Sequence, residues 1–87
     1  MKIIEIKDIK RKDVPIYYKR FYKGTLVYAL TDKPSAIPVE FIIEHKPTGH
    51  LDINVTVSGE IDYPLVPLIK ELKNYIGELD STRKLPS

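Results

Sequence analysis

Between Pro64 and Leu79 the apolar residues Leu65, Leu68, Leu72, Ile76 and Leu79, with Ile69 beside them, recur at i, i+3/i+4 and i+7 and form one continuous helical stripe. The opposite side carries Lys70, Glu71, Lys73, Asn74, Gly77 and Glu78. A helix of this length is marginal alone in water, so its stripe must lie on something else. Burying side chains of this kind is worth roughly 1.5–3 kcal/mol each before ordering entropy is subtracted. What the chain offers as a support is the strand-like sequence that precedes the helix.

A chain of 87 residues makes one small domain, and by size scaling such a domain buries about 60–65% of its extended-chain surface. A deep substrate cleft is expensive at that size. The sequence holds no cysteine, which excludes a disulfide framework, a thiolate metal site and a cysteine nucleophile. The N-terminus lacks the apolar run of a signal peptide, and no segment approaches the roughly 20 apolar residues of a membrane span, so a cytoplasmic protein is expected. The abundance of Ile, Lys and Tyr fits an AT-rich genome, hence a bacterial or phage origin. The net charge of +2 is uneven: residues 1–23 carry about +5 and the remainder about −3. That asymmetry suits an anionic partner for the N-terminal part, and equally an ordinary solvated surface.

Met1–Lys7 alternates enough for a strand, with Ile4 and Ile6 on one face and Ile3 on the other. Asp8–Val14 reads as a solvated connection closed by Pro15. Ile16–Tyr22 and Thr25–Thr31 read as a hairpin around Lys23-Gly24, in one of two registers. With a two-residue loop, Tyr17, Lys19 and Phe21 share the face of Leu26, Tyr28 and Leu30; with a three-residue loop and a bulge at Gly24, Ile16, Tyr18, Arg20 and Tyr22 take that face. The bulged form is favoured, because Lys is a poor first residue for a type I′ turn.

Asp32–Ala36 reads as a linker broken by Pro34. Ile37–His45 and His50–Ser58 then form a second hairpin whose register follows from alternation: Ile43 opposes Ile53, and Phe41 opposes Val55. This leaves Pro47-Thr48-Gly49 as the loop, with Pro where φ is near −65° and Gly where the bulge needs a positive φ. Pro64 or Pro67 occupies the first helical turn, where a missing N–H is tolerated, and the regular helix begins near Pro67. Gly77 signals early fraying or a close contact.

Motifs for catalysis are absent: there is no GxSxG, P-loop, GxGxxG or Cys-His pair. His45 and His50 point to opposite faces of their hairpin and cannot share one metal ion. Glu44 and Asp52 oppose each other on the solvent face, with Glu40 two residues away, where water screens them; they read as an acidic patch rather than an acid–base pair. The first hairpin is more informative. There Tyr17, Tyr18, Phe21 and Tyr22 interleave with Lys19, Arg20 and Lys23, and Lys10, Arg11 and Lys12 extend the basic footprint. Aromatics about 7 Å apart on one face with a cation between them can stack bases and neutralise phosphates. The same residue types are enriched at protein interfaces, and strands also use them for packing and edge protection.

The expected fold is therefore α+β in two layers: an antiparallel sheet of four or five strands, from two hairpins and an N-terminal strand, with one C-terminal helix across one face. Its stripe would cover Phe41, Ile43, Ile53, Val55, Leu26 and Leu30. Residues 1–80 make the domain and 81–87 a flexible tail. The expected function is a small non-catalytic binding or adaptor protein, without cofactor, metal or small-molecule substrate. It would recognise a protein, itself included, through its open sheet face or an edge strand. The alternative is single-stranded nucleic-acid binding on the basic aromatic hairpin.

Overall fold

The computed structural model describes residues 1–86. Four strands, β1 (Lys2–Lys12), β2 (Lys19–Ala29), β3 (Pro34–His45) and β4 (Leu51–Val57), precede one helix, α1 (Leu65–Ser81). The strands form one antiparallel sheet in the order β1-β2-β3-β4, so each is joined to its neighbour by a direct reversal. Leu68, Leu72 and Ile76 of α1 are buried together with Ile6, Tyr22, Leu26, Tyr28, Ile37, Val39, Phe41 and Ile43 of the sheet. This is the expected α+β arrangement of a four-stranded antiparallel sheet with the C-terminal helix on one face. No described helix is long and apolar enough to cross a membrane.

The β3–β4 hairpin has the register that alternation predicts, with Ile43 opposite Ile53 and Phe41 opposite Val55. Its loop closes through Lys46 N–H donating to the His50 carbonyl at 3.0 Å and Gly49 N–H donating to the Lys46 carbonyl at 2.9 Å, with Gly49 at φ +89°. Pro38 decides where β4 stops. In an antiparallel strand the N–H and C=O of one residue point the same way, and the Pro38 carbonyl accepts from Ser58 N–H, just past the end of β4. Its missing donor therefore faces the β4 side beyond the ladder, and pairing with β2 is left intact.

The N-terminal half departs from the sequence expectation. Residues 19–29 form a single strand, and Lys23-Gly24 lies in its middle rather than in a turn. The reversal that precedes β2 occupies residues 13–18, and β1 runs on through Lys10, Arg11 and Lys12. Gly24 serves close approach. A Cβ built there would lie 3.0 Å from Ile6 Cγ2, 3.2 Å from the Lys7 carbonyl oxygen and 3.3 Å from Ile9 Cγ1. The supposed linker at Asp32–Ala36 is the end of a four-residue turn, Leu30–Lys33, and the start of β3. Leu30 lies exposed in that turn rather than under the helix.

β1 reaches the core through two bulges. Ile3 pairs Tyr28 and Glu5 pairs Val27, leaving Ile4 as an extra residue; Lys7 pairs Thr25 and Lys10 pairs Lys23, leaving Asp8 and Ile9 opposite Gly24 alone. Asp8 takes φ +54°, a conformation that Asp tolerates better than most residues. Each bulge resets the alternation, so Ile3, Ile6 and Ile9 all pack on the core and Ile4 is turned out.

The helix begins at Leu65, with Pro64 at the N-cap and Pro67 within the first turn, earlier than the start expected near Pro67. It does not fray at Gly77, which approaches Ile53: a Cβ there would be 3.6 Å from Ile53 Cδ1. Gly77 thus belongs to the sheet-facing side. The helix ends in a Schellman motif, with Arg83 at φ +58°, Lys84 N–H donating to the Leu79 carbonyl and Arg83 N–H to that of Asp80. Of the expected tail, Ser81 is helical, Leu85 packs partly buried on the core, and Ser87 lies outside the described residues.

Candidate partner-binding face

Because α1 covers one side of the sheet, the odd positions of β2 and the even positions of β3 and β4 face outward. Strand register sorts them into rows. Lys12, Phe21, Ile42 and Asn54 lie side by side across the four strands, and Lys10, Lys23, Glu40 and Thr56 form the next row. Lys19, Glu44 and Asp52 make the end row, so the expected opposition of Glu44 and Asp52 is present. Further along, β2 and β3 continue with Thr25 beside Pro38, Val27 beside Ala36 and Ala29 beside Pro34.

The centre of this face is the half-buried pair Phe21 and Ile42, framed by charge. Lys12 Nζ reaches diagonally over β2 to Glu40 Oε1 at 2.8 Å. That hydrogen bond, then the Lys12 charge itself, holds the Glu40 carboxyl below the usual glutamate range, with a smaller contribution from Lys23. The shallow depression between these side chains encloses about 70 Å³, well short of the roughly 300 Å³ at which ligand pockets begin.

The residues singled out in sequence divide between the two faces. Lys10, Lys12, Lys19, Phe21 and Lys23 are on the open face. Arg11 is exposed opposite Tyr22, on the core-side parity. Tyr17 and Tyr18 precede β2, their rings edge to face at 5.6 Å, with Tyr17 95% exposed and Lys19 Nζ 5.8 Å from the Tyr18 ring. Tyr22 is a correction: at 1% exposure it is stacked on Phe41 at 5.0 Å within the core and has no surface to offer a partner.

Arg20 is the second correction. Its Nη1 donates to Asp80 Oδ1 at 3.0 Å and to the Tyr22 hydroxyl at 3.1 Å, and its Nε donates to His45 Nε2 at 3.0 Å. Burial works against its charge, but the bond to Asp80 and the contributions of Tyr22 outweigh that, and its pKa rises above the ordinary value. Arg20 thus ties β2 and β3 to the last turn of α1. The favoured sequence register did group Arg20 and Tyr22 with Leu26 and Tyr28; that grouping is observed, although an unbroken strand rather than a bulged turn produces it.

Ile42 was missed as part of the site. Its signal is present in the sequence, since it is an apolar residue between Glu40 and Glu44 on the polar row of its strand. Among the described residues, no three His, Cys, Asp or Glu are grouped to hold a metal ion.

A four-stranded antiparallel meander backed by one helix, with one face uncovered, defines a class of small α+β domain. A family model places the chain more closely. It matches residues 1–81, and the chain belongs to that family, whose letter-and-number designation states no activity. No curated protein and no solved structure matches the chain.

Proposed function

We propose that this chain is a non-catalytic cytoplasmic binding protein that recognises another protein through the open face of its sheet. The observation that carries the reading is the Phe21–Ile42 pair, an apolar centre on an otherwise charged face. A ring of mixed charge around an apolar centre is the anatomy of a protein interface, where the centre excludes water and the rim sets orientation. Nucleic acid is the weaker fit. Tyr22 is in the core, Arg20 is engaged by Asp80, and the outward lysines share their face with Glu40, Glu44 and Asp52. One stacking ring and a divided charge make a poor track for a phosphate backbone.

The test is affinity capture from the native host with the wild-type chain and with Ile42→Lys, each before and after nuclease treatment. The expected result is a protein that wild type retains at low and at moderate salt, that survives nuclease and that is lost from Ile42→Lys. Capture that disappears with nuclease, or that falls steeply as salt rises from about 50 to about 200 mM, identifies nucleic acid instead.

A further inference from the structure

The outward residues of β2 and β3 are complementary to themselves. In register order, Lys19 lies beside Glu44, Phe21 beside Ile42 and Lys23 beside Glu40. The outward charges of β2 are thus all basic and those of β3 acidic, with an apolar row between them. Consider a two-fold axis parallel to the strands and passing above the seam between β2 and β3. It lays β2 of one copy over β3 of the other at the same level. Lys23 then meets the partner copy's Glu40 position and Phe21 its Ile42 position, each contact occurring twice, as an isologous interface requires. Stacked sheets sit about 10 Å apart, a gap that Lys and Glu side chains reaching from both sides can close.

We infer that the occupant of the open face is a second copy of this chain, docked sheet to sheet about that axis. The inference rests on the reading that this face is the docking surface and names its partner. Area permits the arrangement. Strands of 11, 11, 12 and 7 residues, at about 3.3 Å per residue and about 4.8 Å between strands, present on the order of 600–700 Å². A standard interface takes about 800 Å² per partner, so the whole face is needed and the dimer depends on concentration. An aligned crossing of about 30° keeps rows in correspondence near the centre, where Phe21, Lys23, Glu40 and Ile42 lie.

Lys23 and Glu40 are also neighbours within one chain, so the test must separate the two roles. Mass measured by light scattering from about 1 µM to about 1 mM should rise toward twice the 10.0 kDa of the chain for wild type. Lys23→Glu alone and Glu40→Lys alone should each stay at the single-chain mass, because each lays like charges over one another. Their equimolar mixture should recover the doubled mass. The carboxylates at positions 23 and 40 of one chain then face the two lysines of the other, and no effect confined to one chain can produce that recovery. Thermal unfolding of each variant confirms that it is folded.

Wild type at single-chain mass throughout, or a mixture that fails to recover, overturns the inference. In the first case, loss of a captured foreign protein by Ile42→Lys still upholds the face as a docking surface and only self-recognition fails. If wild type doubles and Ile42→Lys doubles equally, the dimer uses another surface and this inference is wrong.

Discussion

An arginine on an inward-facing strand position must find an anion before its charge can leave water. Arg20 finds Asp80, and the side chains of both are only 19% exposed. Removing one partner strands the other in a half-dry site, so Asp80→Asn and Arg20→Met should each lower stability by about 1–3 kcal/mol. The double variant should cost less than the two singles together, because the coupling is lost once. Additive losses in a chemical denaturation cycle would show that the contact carries no coupling. Glu40 illustrates the exposed counterpart. Its pKa is lower folded than unfolded, so its contribution is present above the unfolded value and is lost as pH falls through the folded one, in the acid range below that of a free glutamate. In Lys12→Met the Glu40 carboxyl should titrate at higher pH by NMR, with the residual effect of Lys23 remaining; an unmoved midpoint would show that the bond to Lys12 is not its cause.

β2 is the element on which the first half of the fold turns, and Gly24 is its vulnerable point. A methyl group at position 24 would crowd Ile6 Cγ2 at 3.0 Å and the Lys7 carbonyl at 3.2 Å, and the second of these is backbone and cannot rotate away. Overpacking of this kind costs about 1–3 kcal/mol, against which Ala recovers about 0.5–1 kcal/mol of strand preference over Gly. Gly24→Ala should therefore be destabilised by about 1–2 kcal/mol, a fall in Tm of several degrees for a domain of this size. An unchanged or raised Tm would mean that β1 does not close over Gly24. The same residue explains why the second hairpin is legible in the sequence and the first is not. In Val39–Ile43 and Ile53–Val57 the alternation is strict, and Pro47 and Gly49 sit where a three-residue loop needs them. Gly24 carries two physical meanings, turn former or site of close approach, and local sequence does not choose between them. Ile3, Ile6 and Ile9 recur every third residue, a period that belongs to neither a regular strand nor a helix, and only two bulges bring them to one face. The parity of Arg20 and Tyr22 was accessible from Leu26 and Tyr28, but their roles in the core depended on where Asp80 and Phe41 lie in space.

At the scale of the molecule, the sheet has one dry side and one wet side, and consecutive residues of β3 report the two. Ile43 is fully buried against the helix layer, whereas Ile42 next to it is half-buried beside Phe21 on the uncovered face. Truncating a fully buried Ile to Ala costs about 2–5 kcal/mol, because the cavity left behind adds to the lost transfer energy. For a chain whose total stability is expected to be about 4–13 kcal/mol, Ile43→Ala can remove a large share of it. Ile42→Ala leaves no enclosed cavity and should cost about 1 kcal/mol or less when measured at dilutions where the chain is monomeric. Raising the protein concentration should widen the deficit of Ile42→Ala relative to wild type, since anything that binds the folded face stabilises it by mass action, while the deficit of Ile43→Ala measured the same way stays nearly constant. Equal costs at low concentration would mean that both sides of the sheet are sealed within one chain, and the division into a core side and a contact side would then be wrong.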